Sequence, residues 1–238
     1  MNSGKLYVIG TPIGNLGDIT LRAIESLGKI EILFCEDSRV SSRLINYLQE
    51  KNFFRGKPRY IPYNEFNEKR IWESVVTEVA SGKQVGLVSD AGMPAISDPG
   101  YRAIKGCLDE KLEVEIIPGV TALTTALPWS GMGGEVMIYV GFLPKSSGKA
   151  RRGLEGAYAL MTKLPSTRVV LYVSPHRLVK DLELIKDVMG EVKGVLMREL
   201  TKMHQERREG TVEELIKMYQ AKSVKGELVL VLQKGESE

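Results

Sequence analysis

The 238 residues carry 43% hydrophobic and 26% charged side chains, ordinary globular usage that excludes an intrinsically disordered chain. The formal net charge is +3, and its basic excess falls beyond Pro118, which permits an acidic partner without requiring one. Two cysteines far apart, Cys35 and Cys107, exclude a disulfide framework, and two histidines without ligand spacing argue against a metal site, so none is expected.

In chain order, a buried strand is expected at Leu6 to Ile9, then a helix from Thr20 to Gly28 capped by Asp18. A strand at Ile30 to Cys35 precedes a helix at Val40 to Glu50. Next come a strand at Arg59 to Pro62, a helix at Lys69 to Ser81, a strand at Gln84 to Ser89, a helix at Tyr101 to Asp109 and a strand at Val114 to Ile117. Continuous apolar strands alternating with amphipathic stretches are the pattern of a parallel α/β sheet covered on both faces.

The second half repeats the rhythm. Strands are expected at Val136 to Phe142, Thr167 to Val173, Val192 to Met197 and Glu227 to Leu232, some of them antiparallel. Helices are expected at Leu154 to Lys163, Leu178 to Met189 and Val212 to Ala221. The segment Pro144 to Gly153, with four basic residues and no apolar anchor, reads as a mobile loop. Two domains are expected, 1–118 and 119–238. No apolar run approaches the ~18 residues of a membrane span, and no leader-like apolar segment stands out, so a soluble cytoplasmic protein is expected.

Three loops follow strands of the first half. Gly10-Thr-Pro-Ile-Gly-Asn-Leu-Gly17 has G-x₃-G-x₂-G spacing, which matches neither a dinucleotide nor a nucleoside-triphosphate fingerprint. Ser89 to Gly100 holds two Gly, two Pro and two Asp, a density that suits preorganised backbone contacts to a ligand. Ile117-Pro-Gly-Val-Thr-Ala-Leu123 is the third. Loops at the carboxyl ends of strands in one sheet would converge on one crevice. Two polar clusters remain open between a function and a plain turn. Cys35-Glu-Asp-Ser-Arg39 reads as a solvated helix start or a reactive group, and Ser174-Pro-His-Arg177 as a surface turn or a phosphate contact by Arg177 with His176 beside it.

Taken together, these segments resemble the tetrapyrrole methylase superfamily, and within it the branch that methylates a cytidine ribose 2′-hydroxyl of small-subunit ribosomal RNA. The resemblance is carried by Leu6 to Ala23, Cys35 to Arg39, Val88 to Tyr101, Gly141-Phe-Leu-Pro144, Ser174-Pro-His-Arg177 and Arg198-Glu-Leu-Thr-Lys202, in the order of that branch and over nearly the whole chain. It implies two α/β domains with S-adenosylmethionine in the cleft between them, and a homodimer acting on 16S ribosomal RNA in the small ribosomal subunit near the decoding centre, with no membrane partner. Cofactor contacts would fall on Pro12, Gly92, Met93, Pro94, Ile96, Ser97, Thr121 and Ala122, with Tyr172 and Leu200 at later strand ends. Departures are Val173 where that branch usually has Glu, Met93 where Thr is common, and Asn64-Glu-Phe-Asn67 where a His-Glu-His-Asn pattern is usual.

Removing the hydroxyl proton calls for a general base, and Asp37, Glu65 and Asp90 are the candidates, Asp37 first because of its place beside Arg39. Contacts to RNA should be electrostatic and spread over Arg39, Arg43, Lys145, Lys149, Arg151, Arg152, His176, Arg177 and Lys202. Two alternatives stand beside this reading: a methylase of a porphyrin precursor or other small molecule, and a non-catalytic cofactor-binding assembly factor.

Overall fold

Short apolar runs form the strands, and in the computed structural model, which describes residues 4–235, they assemble into two five-stranded sheets. The chain divides into two compact units between Thr121 and Ala122.

The first unit contains β1 (Lys5–Ile9), α1 (Leu21–Leu27), β2 (Ile32–Cys35), α2 (Ser38–Glu50), β3 (Arg59–Pro62), α3 (Glu68–Ala80), β4 (Gln84–Val88), α4 (Tyr101–Asp109) and β5 (Glu113–Ile117). Its sheet runs β3-β2-β4-β1-β5 with every pair parallel. Alternation along β1 divides its side chains between two cores. Tyr7 and Ile9 pack with Ala23, Leu27, Leu44 and Leu48 of α1 and α2. Leu6 and Val8 pack with Val75, Val79, Ala103 and Cys107 of α3 and α4. Helices on both faces explain why these strands read as continuous apolar runs. The parallel order brings every carboxyl end to one edge, where β4, β1 and β5 lie side by side.

The second unit contains α5 (Ala122–Ser130), β6 (Val136–Phe142), α6 (Ser147–Lys163), β7 (Thr167–Val173), α7 (Leu178–Met189), β8 (Val192–Arg198), β9 (Glu206–Thr211), α8 (Val212–Tyr219) and β10 (Leu228–Lys234). Its sheet runs β6-β7-β10-β8-β9, parallel between β6 and β7 and antiparallel elsewhere. One core joins Leu154 of α6, Leu182 of α7 and Leu215 of α8 to Leu171 and Leu230 of the sheet.

Four local readings need correction. The cap of α1 is Thr20, whose hydroxyl oxygen accepts from the Ala23 amide at 3.1 Å; Asp18 ends the preceding 3₁₀ turn. Residues 147–153 are not a loop but the first two turns of α6. Their Ala, Lys and Arg are good helix formers, and the buried Ala150 continues the stripe of Leu154, Ala157 and Met161 one turn forward. Strand β9 went unread because Glu-Arg-Arg-Glu-Gly-Thr has no apolar run. Among the described residues it is an edge strand paired only to β8, with Glu206 directly opposite Arg198 and ion-paired to it at 3.0 Å. Helix α5 went unread because Pro128 lies inside it, in the last turn.

Candidate active site

Three loops meet at the carboxyl edge of the first sheet. Gly10 donates its amide to the Ile117 carbonyl at 3.0 Å, which ties the β1 loop to the end of β5. Thr11 and Gly92 exchange both backbone hydrogen bonds, at 2.9 and 3.1 Å, which ties the β1 loop to the β4 loop. The buried Thr11 hydroxyl also donates to the Ser89 carbonyl at 3.2 Å. A Cβ placed on Gly10 would lie 2.7 Å from the Gly119 Cα, so only glycines allow the two backbones to cross there. Gly92 has φ +86°, and Ala95 and Ser97 hold left-handed φ of 66° and 61° in the same loop. Left-handed non-glycine residues are costly, and a loop that carries two is held in shape by its surroundings.

The expected cofactor residues of the first unit sit on this assembly. Pro12, Pro94 and Gly92 are buried, Met93 is half-buried with its sulfur over Gly10, and Ile96 and Ser97 are exposed. Thr121 is buried just beyond the β5 loop. Segments 10–17, 89–100 and 117–122 contain no Lys or Arg. What they offer is backbone amides and carbonyls, small and apolar side chains, and the carboxylates of Asp90 and Asp98. With no cation among them and two carboxylates present, that set favours a nucleoside over a phosphate-rich ligand.

Beside these loops, carboxylates gather at the ends of β2 and β4. The Asp37 amide donates to Asp90 Oδ1 at 2.9 Å, and the Asp90 amide donates to Glu36 Oε2 at 3.4 Å. Asp37 caps α2, accepting from the Arg39 amide at 2.8 Å and from the Arg39 guanidinium at 2.6 Å. The Arg39 guanidinium holds the Asp37 carboxyl down at about 2. Burial, and then the Asp90 carboxylate, push the Glu36 carboxyl up. A carboxylate locked in an ion pair is a poor proton acceptor, whereas a half-buried one raised by its neighbours is a better one. Glu36 went unselected in the sequence because neither its burial nor the Asp90 contact leaves a mark in residue spacing.

The segment 64–67 closes a turn before α3. The Asn64 amide donates to Asn67 Oδ1 at 2.8 Å, and Glu65 lies exposed on the turn. Glu68 Oε1 accepts from the Tyr63 hydroxyl at 3.2 Å and the Gly100 amide at 3.0 Å, linking this turn to the β4 loop.

In the second unit, Ala122 opens α5, and the Tyr172 hydroxyl accepts from the Leu123 amide at 3.2 Å. Leu200 is buried between two residues of left-handed φ, Glu199 at 52° and Thr201 at 65°. Lys202 is held by two carboxylates, Glu199 at 2.9 Å and Glu227 at 3.0 Å. Arg151 is ion-paired with Asp187. Lys145, Lys149, Arg152 and His176 are exposed, and Arg43 is exposed on α2 of the first unit. Among the described residues, no group of three His, Cys, Asp or Glu is arranged to hold a metal ion. No helix among them is long and apolar enough to cross a membrane.

A parallel sheet whose adjacent carboxyl-end loops are knitted together is the architecture of a ligand-binding α/β protein. The family model of Tetrapyrrole (Corrin/Porphyrin) Methylases matches residues 5–216, and the chain belongs to that family. A Thermotoga maritima protein named ribosomal RNA small subunit methyltransferase I is 40% identical over 229 residues, covering 96% of this chain and 98% of that protein. A Mycoplasmopsis pulmonis protein of the same name is 39% identical, covering 95% of this chain and 96% of its own length. Among solved structures, the methyltransferase CobJ superposes with TM-score 0.71 at 16% identity, over 99% of this chain and 96% of that one. Uroporphyrin-III C-methyl transferase from Thermus thermophilus, complexed with S-adenyl homocysteine, superposes with TM-score 0.66 at 17% identity, over 97% of each chain. These structures share the fold.

Proposed function

We propose that this protein is an S-adenosylmethionine-dependent methyltransferase of small-subunit ribosomal RNA, acting on the 2′-hydroxyl of a cytidine near the decoding centre. The observation that carries the reading is the near full-length similarity to proteins named for small-subunit ribosomal RNA methylation. The three loops, which carry no Lys or Arg, support a cofactor without phosphate. Pro12, Gly92, Met93, Pro94, Ile96, Ser97 and Thr121 would hold it. When bound, it supplies a methyl group on a positively charged sulfur. The family resemblance adds a cytoplasmic homodimer as the working form.

The protein's own part is to orient the ribose oxygen, exclude water and take one proton. Glu36 accepts that proton, and Asp90 keeps Glu36 in place and basic. Asp37 shapes the start of α2 through Arg39. Lys145, Lys149 and Arg152, with Arg43, meet the RNA backbone.

Tritiated S-adenosylmethionine, incubated with the protein and with small subunits lacking the modification, tests this. Label on one cytidine ribose, mapped by nuclease digestion and mass spectrometry, is the expected result. Cofactor binding by calorimetry without label on any RNA would sink it.

A further inference from the structure

Arg177 ends the Ser174-Pro-His-Arg177 segment and, by sequence, is offered to a phosphate. In the structure its guanidinium is occupied by the protein. Nη1 donates to the Leu143 carbonyl at 2.8 Å. Nη2 donates to Asp181 Oδ1 at 2.8 Å and to the Pro144 carbonyl at 3.4 Å. Asp181 lies one helical turn further along α7 and is 4% exposed, while the Arg177 side chain keeps 25% exposure. The two carbonyls belong to the turn that leaves β6 and enters α6. That helix starts without a side-chain cap at Ser146. Its entry therefore lacks the usual local tie and has this one from α7 instead.

The planar fork of arginine reaches two carbonyls and a carboxylate spread in one plane, a geometry that the compact tetrahedral ammonium of lysine does not reproduce. A carboxylate as buried as Asp181 needs a partner, and burial already pushes its carboxyl up against the pull of Arg177. Each group therefore depends on the other.

We infer that Arg177 is a positioning residue: with Asp181 it fastens the turn at Leu143 and Pro144, and so sets the stance of α6 with its exposed Lys149 and Arg152, and of Lys145 just before it. It does not itself grip phosphate. The role of that basic face toward RNA rests on the proposed function; the fastening does not.

The test uses the full chain with Arg177→Gln, Arg177→Lys, Asp181→Ala and the double variant Arg177→Gln/Asp181→Ala. Melting and near-UV circular dichroism check folding, and Arg177→Lys and Asp181→Ala carry the test if Arg177→Gln fails to fold. Amide exchange at residues 150–154, the first hydrogen-bonded amides of α6, is read without RNA. Each single variant should speed it about tenfold or more, and the double variant no more than the worse single, because both remove one coupled unit. Wild-type exchange in Asp181→Ala or Arg177→Lys overturns the inference. Binding to unmodified small subunits is then read against salt. The expected result is a similar weakening by Arg177→Gln and Arg177→Lys with an unchanged salt slope. A slope lower by about 1 in Arg177→Gln but kept in Arg177→Lys and Asp181→Ala would mark a direct phosphate contact and overturn it. If the wild type binds no subunit, the proposed function fails while amide exchange still decides the fastening.

Discussion

The backbone crossing of Gly10 and Gly119 is the tightest point of the site. A Cβ on Gly119 would lie 2.9 Å from the Gly10 Cα, so alanine at either position forces the β1 and β5 loops apart. Gly10→Ala and Gly119→Ala should each weaken S-adenosylmethionine binding at least about tenfold, a shift of about 1.4 kcal/mol, as calorimetry would measure. Gly133→Ala, with open space around it, should bind as wild type. The carboxylates carry a second prediction. Asp37 is held at about 2, so it stays charged through any ordinary assay range and cannot shape the acid limb of the rate profile. Glu36, pushed up by burial, can. Glu36→Gln should abolish most turnover. Asp37→Asn should keep the acid limb where it is, and a limb that vanishes with Asp37→Asn would exchange the two roles. The glycine spacing was legible in the sequence, as was the gathering of acidic residues near Cys35. Which neighbour each carboxylate meets was not, because that depends on contacts between residues far apart in the chain.

Helix α6 is the element where sequence and structure part most. A stretch rich in Lys, Arg, Gly and Ser looks like a solvated loop until Ala150 is seen to be buried one turn before Leu154. A single small apolar residue gives almost no periodic signal by itself. The helix presents Lys149 and Arg152 to solvent, while Arg151 is engaged with Asp187. Neutralising Lys149 and Arg152 together should lower the salt slope of subunit binding by about 1 to 2, whereas Arg151→Gln alone should change it little. The buried stripe makes a separate prediction. Leu154 is fully buried among α7 and the sheet, so Leu154→Ala should cost about 2–5 kcal/mol in urea unfolding. A cost below about 1 kcal/mol would mean that α6 frays in solution.

Across the whole molecule, acid should destabilise. Asp37 and Glu213 are both held at about 2, by Arg39 and by Lys186 with Lys217. A depressed carboxyl contributes stability above its unfolded value of about 4 and loses it as pH falls toward 2. The urea midpoint should therefore drop between pH 6 and pH 3, and added salt should shrink the drop because both pairs lie at the surface. By itself the sequence determined the α/β class, most strand and helix positions, the order of the loops and the family, because apolar runs, turn residues and motif order are local signals. Tertiary structure decided the rest. It placed β4, β1 and β5 side by side so that three distant loops share one edge, and it recruited the charged edge strand β9. It also separated Glu36 from Asp37, and turned Arg177 inward onto Asp181. Each of these depends on contacts between residues far apart in the chain, whose burial and partners no local pattern encodes.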